Sequence, residues 1–249
     1  MNFNFKINKN LLAASLLLGA STKESELTKL QNLMWDKHRD AYELLNNYER
    51  RLMFVDSYKK KLASIAEKME ALVNDIIKSG EFMRIYQETL KYRNWLETEW
   101  IDKKTEVEEH LKDILKTELP KKDFKVLVIH QTLKGGLYLG DNKILWGHNE
   151  DWGNYSIVYL VHEALHAYFD KNKITHALIE LATDNELRIR LNRGGEYFTC
   201  NGNSIGHGYL KKLEQEILPE WKTYLNNDKK PLNIFDLQKR LEKKELKNP

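Results

Sequence analysis

The sequence contains a single cysteine, Cys200, in 249 residues. An internal disulfide and a metal site built from paired cysteines are therefore excluded, so any bound metal must use histidine and carboxylate ligands. Only 4 prolines and 12 glycines are present, whereas hydrophobic residues make up 41% and charged residues 31%. This composition is typical of a helix-rich globular protein of one large or two small domains, and it excludes a collagen-like or disordered chain.

The sequence also lacks a strong excess of one charge. It has 40 basic and 37 acidic residues, for a net charge of +3. We therefore expect no nucleic acid partner, because a balanced surface sets up no field that gathers phosphates.

A long hydrophobic run is missing as well. The longest candidate, within residues 10–22, reads NLLAASLLLGAST and is too short to span a bilayer, so no stable membrane span is expected. It follows two lysines and ends in small residues, as a secretory signal peptide does. We expect a cytoplasmic protein, with export as the alternative if this stretch acts as a signal.

Helical periodicity dominates the first half of the chain. Apolar residues recur at steps of three and four through residues 24–119, which predicts two or three long helices, one of them over 81–119 and ended by Pro120. The stretch FNFKI at the beginning of the chain alternates like a strand. The first 122 residues are therefore predicted to form a helical N-terminal region.

The character of the sequence changes after Pro120. Strand-like segments at 124–130, 136–140 and 143–147 are separated by turn residues and predict a small antiparallel sheet. A helical pattern returns at 154–170. The fold class expected is α+β, with residues 123–249 forming a catalytic domain that follows the long N-terminal helices.

The motif HEALH at 162–166 is the clearest indication of a chemical function in the sequence. Residues four apart lie about 40° apart around a helix, so His162 and His166 can place two imidazole nitrogens on one Zn²⁺ ion. Glu163 is rotated by about 100° and stands beside the ion, where its carboxylate can take a proton from a water molecule. The motif therefore predicts two metal ligands and a general base.

A third ligand is expected from the next helix. A short connection after Asp170 leads into a helical pattern at 176–192, and an antiparallel pair brings residues near Glu180 opposite His166. Asp184, four residues later, could accept the second ring proton of a ligating histidine. Glu186 is the alternative ligand, although it lies farther from the turn and points away from Glu180.

Together, the HEALH motif and the spacing of Glu180 and Asp184 resemble the HExxH…ExxxD pattern of the glutamate-zincins, the thermolysin-like metallopeptidases. The resemblance covers residues 142–184. It implies a zincin-like fold, one Zn²⁺ ion held by His162, His166 and Glu180, and an edge strand at 142–147 that pairs with an extended peptide substrate.

Such a peptidase also needs a group that stabilises the oxyanion of the tetrahedral intermediate. The segment CNGNSIGHGYLKKL at 200–213 offers His207, between two glycines, and Tyr209 at a predicted helix start. With Glu163 as the base that deprotonates water and protonates the leaving amine, the sequence predicts a zinc metallopeptidase acting on a peptide or protein substrate.

Two other functions are consistent with the same residues. A helical interaction protein could carry a structural or degenerate zinc site, with the helices at 24–119 as the binding surface. A zinc hydrolase of non-peptide substrates would share the site and differ in its cleft. A structural ion has four protein ligands, whereas a catalytic ion keeps an open position.

Overall fold

The computed structural model describes residues 1–18, 25–44, 52, 54–55, 63–227 and 232–245. The first helices are α1 (Lys9–Leu18), α2 (Glu26–Leu44), α3 (Ala63–Lys78) and α4 (Gly80–Leu115). The later ones are α5 (Tyr155–Leu165), α6 (Lys173–Glu180), a π-helical segment (Leu181–Leu187), α7 (Arg188–Leu191), α8 (Lys211–Leu225) and α9 (Ile234–Glu245). The strands are β1 (Asn2–Lys6), β2 (Asp123–Val128), β3 (Gly135–Gly140), β4 (Lys143–Gly147), β5 (Thr199–Cys200) and β6 (Asn203–Ser204). The protein is therefore mostly helical with a small mixed sheet, which agrees with the α+β class.

The four-stranded sheet has the order β1-β2-β4-β3. Strand β4 pairs with β2 in parallel, from Lys125 opposite Lys143 to Val128 opposite Trp146, and pairs with β3 antiparallel. The expectation of a purely antiparallel sheet was wrong. The nearly continuous apolar burial of β4 explains the difference, because a strand with such a run needs a neighbour on each side.

The position of β4 also shows that the predicted substrate-binding edge strand was wrong. Residues 142–147 were expected at the edge of the sheet, where a peptide could add as a further strand. Both edges of β4 are instead occupied, by β2 and β3. A peptide cannot pair with this strand, since its backbone groups already bond to its neighbours.

Two compact units divide the chain. One contains residues 1–2, 99–123 and 150–249, and the other contains residues 3–98 and 124–149. Each unit takes residues from both sides of the boundary predicted at residue 122. The two are called here the C-terminal unit and the sheet unit.

The sheet unit is built around an apolar core. Leu12 and Leu16 of α1, Leu30 of α2 and Leu72 of α3 are buried in one cluster with Leu145 of β4. The apolar stretch considered as a signal peptide thus lies in this core as far as Leu18, and residues 19–22 fall outside the described ranges. None of the helices in the ranges that the structure describes is long and apolar enough to cross a membrane.

Polar contacts join the separate segments of the C-terminal unit. The Tyr224 hydroxyl donates to the carbonyl oxygen of Ile114 at 2.9 Å, and Lys116 Nζ donates to that of Leu225 at 3.1 Å. Arg190 pairs with Asp113. The second half of α4 is therefore held against α7 and α8.

A two-stranded hairpin precedes α8. Strands β5 and β6 pair through Thr199 opposite Ser204, and the turn between them is Asn201-Gly202. Both turn residues have positive φ, 51° and 78°, as a two-residue hairpin turn with this dipeptide requires. The sequence at 200–213 was interpreted as a loop leading to a helix, so the hairpin was not expected.

Candidate metal centre

The HEALH motif lies at the C-terminal end of α5. The helix was predicted over 154–170 but ends at Leu165, and His166 is its C-cap. Bonds of the i→i+3 type, from Ala167 N to Ala164 O and from Tyr168 N to Leu165 O, tighten this last turn. The His162 side chain is buried, and its ring centroid lies 5.1 Å from that of His166.

The next helix supplies three further polar side chains. It begins where the Asn172 side-chain oxygen accepts from Thr175 N at 2.8 Å, and it carries His176, Glu180 and, in the π-helical segment, Asp184. A continuous α-helix was expected here. Seven residues instead form a π-helix, a geometry that is rare and occurs often at functional sites.

Asp184 contacts the first histidine of the motif, as the sequence predicted for this residue. Its Oδ1 atom lies 2.9 Å from His162 Nδ1 and accepts from Thr183 Oγ1 at 2.9 Å. Burial opposes the positive charge on His162, but the charge and hydrogen bond of Asp184, together with the charges of Glu163 and Glu180, outweigh burial and raise the pKa of His162 to about 9. The contact orients the ring through its Nδ1 edge, so a metal would bind at Nε2 and displace the proton that the raised pKa keeps there near pH 7.

Glu180 contacts His207 through both carboxylate oxygens. Oε2 accepts from the His207 backbone N at 2.9 Å, and Oε1 lies 2.5 Å from His207 Nδ1. This hydrogen bond raises the pKa of His207. Gly206 permits the approach, since a Cβ atom at this position would lie 2.2 Å from Glu180 Oε2 and its φ of +73° favours glycine.

His176 points one ring nitrogen inward. Its Nδ1 atom lies 3.1 Å from the Tyr209 hydroxyl, whereas Nε2 is buried without a hydrogen-bond partner among the described residues. Burial lowers the pKa of His176 to about 4 and that of His166 to about 3, so both rings are neutral near pH 7. A neutral imidazole is the form that binds metal ions.

Three histidines from three different elements converge. The candidate ligand atoms of His162, His176 and His207 all lie within 4.8 Å of one another. Ring centroids are 5.4 Å apart for His162 and His176 and 4.8 Å apart for His176 and His207. Two imidazoles on one tetrahedral ion have centroids about 5 Å apart. Each ring also has an outer partner on Nδ1, namely Asp184, Tyr209 or Glu180, which is the arrangement of most metal-bound histidines.

The predicted site residues lie in and around this cluster, with one exception. His166 is adjacent, with its ring centroid 4.9 Å from that of His176, and Glu163 follows His162 on α5. Glu186, the alternative third ligand, lies elsewhere: its carboxylate accepts from Arg190 Nε at 2.8 Å and from the Tyr197 hydroxyl at 2.5 Å. The structure thus brings Glu180, and not Glu186, to the histidines.

Two residues of the site were not assigned a role from the sequence. His176 lies four residues before Glu180 on the same helix face, and this i, i+4 pairing was the available signal. Glu214 of α8 is buried near Glu180, and burial together with the Glu180 charge raises the pKa of Glu214 to about 8. Its sequence context, an amphipathic helix, gave no signal of burial.

A cavity of about 610 Å³ lies beside the cluster. Tyr159, whose ring centroid is 6.0 Å from that of His162, forms part of its wall, as does Gly206, the neighbour of His207. Comparisons with protein-family models, with curated proteins and with solved structures found no match for the chain. The chemistry of these side chains is therefore the basis for assigning a function.

Proposed function

We propose that the protein is a zinc-dependent hydrolase of the metallopeptidase type, with its ion at the histidine cluster and a peptide as its substrate. The observation that carries the proposal is the convergence of His162, His176 and His207, whose candidate ligand atoms lie within 4.8 Å of one another beside an HExxH motif. Three nitrogen ligands and an adjacent glutamate are the components of a hydrolytic zinc site.

The residues present fit a divalent ion. His176 Nε2 is buried and has no hydrogen-bond partner among the described residues, with Glu180 Oε1 3.7 Å away, and such a nitrogen costs free energy unless a ligand satisfies it. The carboxylates of Glu180 and Asp184 are fully buried behind the rings, where their charge favours a cation.

Two ligand sets are available within this cluster. His162, His176 and His207 would hold the ion with Glu180 as the outer partner of His207. In the set expected from the sequence, His162, His166 and Glu180 would hold it, and Glu180 would exchange its contact with His207 for the metal. We favour the three-histidine set, because its rings already have the outer hydrogen bonds that orient metal ligands.

A Zn²⁺ ion at this position would supply a lowered pKa for water and a polarised substrate carbonyl. Glu163, partly exposed beside His162, would accept the proton of the attacking water and return it to the leaving amine. Tyr209 is 66% exposed with its hydroxyl at the rim of the cluster, so it would donate to the oxyanion, the role also considered for His207.

The experiment compares Glu163→Gln with the wild type at equal zinc content. Elemental analysis should find about one zinc per chain in both proteins, because Glu163 is a base and not a ligand. Hydrolysis of a mixed peptide library should fall by about 10²–10⁴-fold in the variant. Glu216→Gln, which removes an exposed carboxylate on α8, is the matched control and should retain activity.

Absence of zinc after purification and after incubation with the ion would contradict the proposal. An equally active Glu163→Gln variant would remove Glu163 from the mechanism. A zinc-loaded wild type that cleaves esters or amides outside the library, and no peptide, would move the substrate to the non-peptide class.

A structural zinc site is the second candidate, favoured by one observation. His166 lies within 5.1 Å of both His162 and His176 by ring centroid but outside the group of three converging histidines, so a shift of its ring toward them would supply the fourth ligand of a closed shell. X-ray absorption on the zinc-loaded protein distinguishes the two, because four nitrogen ligands indicate a closed structural site and three indicate an open catalytic one.

A further inference from the structure

The cavity beside the cluster has two different walls. One wall is aromatic and comes from Trp152 and the first turns of α5, with Tyr155 and Tyr159. The other lining comes from Cys200, Asn203 and Ser204 of the β5–β6 hairpin and from Ile205 and Gly206, which follow it. Because Gly206 precedes His207, the cavity opens directly next to the proposed metal centre.

The three rings form a compact group. Ring centroids are 4.9 Å apart for Trp152 and Tyr155, 4.6 Å for Tyr155 and Tyr159, and 6.0 Å for Trp152 and Tyr159. The Arg188 guanidinium already lies 5.9 Å from the Trp152 ring centroid, and Arg188 lines the neighbouring cavity. The rings of Tyr155 and Tyr159 also line the cavity, and aromatic faces attract cations.

The charge of the cavity has one sign. Asp151 is the only acidic or basic residue among those lining it, and neither lysine, arginine nor histidine contributes to this lining. Within the part of the chain that the structure describes, the exposed Asp151 carboxylate has no hydrogen-bond or ion-pair partner. A cation in the cavity would gain this partner.

We propose that this cavity binds a lysine or arginine side chain of the substrate next to the scissile bond, with the charged end at Asp151 and the aliphatic part against Tyr155 and Tyr159. The proposal rests on the proposed hydrolase and names its substrate class: peptides with a basic residue beside the cleaved bond. A long side chain fits, because its methylene groups cover the rings while its head remains near water at the exposed Asp151.

The first test measures binding without turnover. Nα-acetyl-lysine amide and the uncharged, similarly shaped Nα-acetyl-norleucine amide are titrated into zinc-loaded Glu163→Gln protein and followed by calorimetry. Lysine should bind about tenfold more tightly. Adding Asp151→Asn or Tyr155→Leu should reduce this preference to about twofold or less. Asp102→Asn, an exposed carboxylate on α4 away from the cavity, should leave it unchanged.

Equal binding of the two probes, no binding of lysine, or a preference that survives both Asp151→Asn and Tyr155→Leu would each overturn the proposal. The second test is cleavage of the peptide library by the wild type. Cleavage without preference for lysine or arginine beside the bond also overturns it, while leaving the hydrolase intact. If the protein binds lysine in preference to norleucine but cleaves no peptide, the cavity binds cations as proposed and the peptidase function is contradicted.

Discussion

Asp184 Oδ1 lies 2.9 Å from His162 Nδ1, and both side chains are buried. This contact joins the π-helical segment to the end of the HExxH helix α5. It places a carboxylate behind the histidine that belongs to both candidate ligand sets. The orientation of the His162 ring therefore depends on a residue 22 positions later in the chain.

The first prediction concerns this contact. Asp184→Asn should keep a hydrogen-bond acceptor but lose the charge, and Asp184→Ala should lose both. Zinc affinity, measured by competition with a chelator, should fall about 10-fold for the first and about 100-fold for the second. Asp113→Asn removes a carboxylate that pairs with Arg190 in the same unit and should leave zinc affinity unchanged. Unchanged affinity in Asp184→Ala would contradict an outer-shell role.

The second prediction compares two glutamates on consecutive turns. Glu180→Gln should lower zinc affinity at least about 10-fold, because the carboxylate either binds the ion or orients His207. Glu186→Gln should keep zinc and instead lower the free energy of unfolding by about 1 kcal/mol, through its bonds to Arg190 and Tyr197. Isothermal zinc titration and urea unfolding measure the two effects. The opposite result would show that Glu186, and not Glu180, acts at the metal.

The third prediction uses a pair of glycines with similar backbone geometry. Gly202 and Gly206 have φ of +78° and +73°, so alanine should cost each of them about 1 kcal/mol of stability. Nothing lies within 4 Å of a Cβ atom at Gly202, whereas one at Gly206 would collide with Glu180 Oε2. Only Gly206→Ala should therefore also weaken zinc binding. Equal zinc affinity in the two variants would show that zinc binding does not depend on the position of the Glu180 carboxylate.

The fourth prediction concerns Asn185 in the π-helical segment. Its Nδ2 donates to the carbonyl oxygen of Glu180 at 3.0 Å, and its Oδ1 accepts from Phe198 N at 2.7 Å. Asn185→Ala removes both bonds at a buried position and should lower the free energy of unfolding by about 1–3 kcal/mol. Urea unfolding with chelator present excludes a contribution from zinc. The exposed Asn226→Ala should change stability by less than about 0.5 kcal/mol.

The parts of the site that depend on local spacing could be predicted from the sequence. Helical geometry alone predicted that the side chains of HEALH lie close together. The short turn after Asp170 was enough to select Glu180 over Glu186 as the residue near the histidines. His176 was missed as a candidate ligand because its contact with His207 joins residues 31 positions apart. No periodicity within one helix can indicate a contact of that kind.

The sheet illustrates the same limit at the level of the fold. Each strand could be located from its own residues, including the turn at Asp141-Asn142, whose φ angles are both positive. The order of the strands could not be predicted in this way. Strand β4 lies between β2 and β3, and its pairing with β2 joins strands that are not consecutive in the sequence. The continuous burial of β4 was the signal that it needed two neighbours.

The division of the C-terminal unit has a consequence for the synthesis of the protein. Val107, Leu111 and Ile114 on the second half of α4 are buried, yet Tyr224, which bonds to the backbone of Ile114, is made much later. At about 5–20 residues per second, the roughly 110 intervening residues take on the order of ten seconds to translate. During that interval the nascent chain has an apolar helix surface without its C-terminal partners, as well as an incomplete set of histidines. The three-histidine site proposed above would therefore be complete, and able to take up an ion, only after His207 has been made near the end of translation.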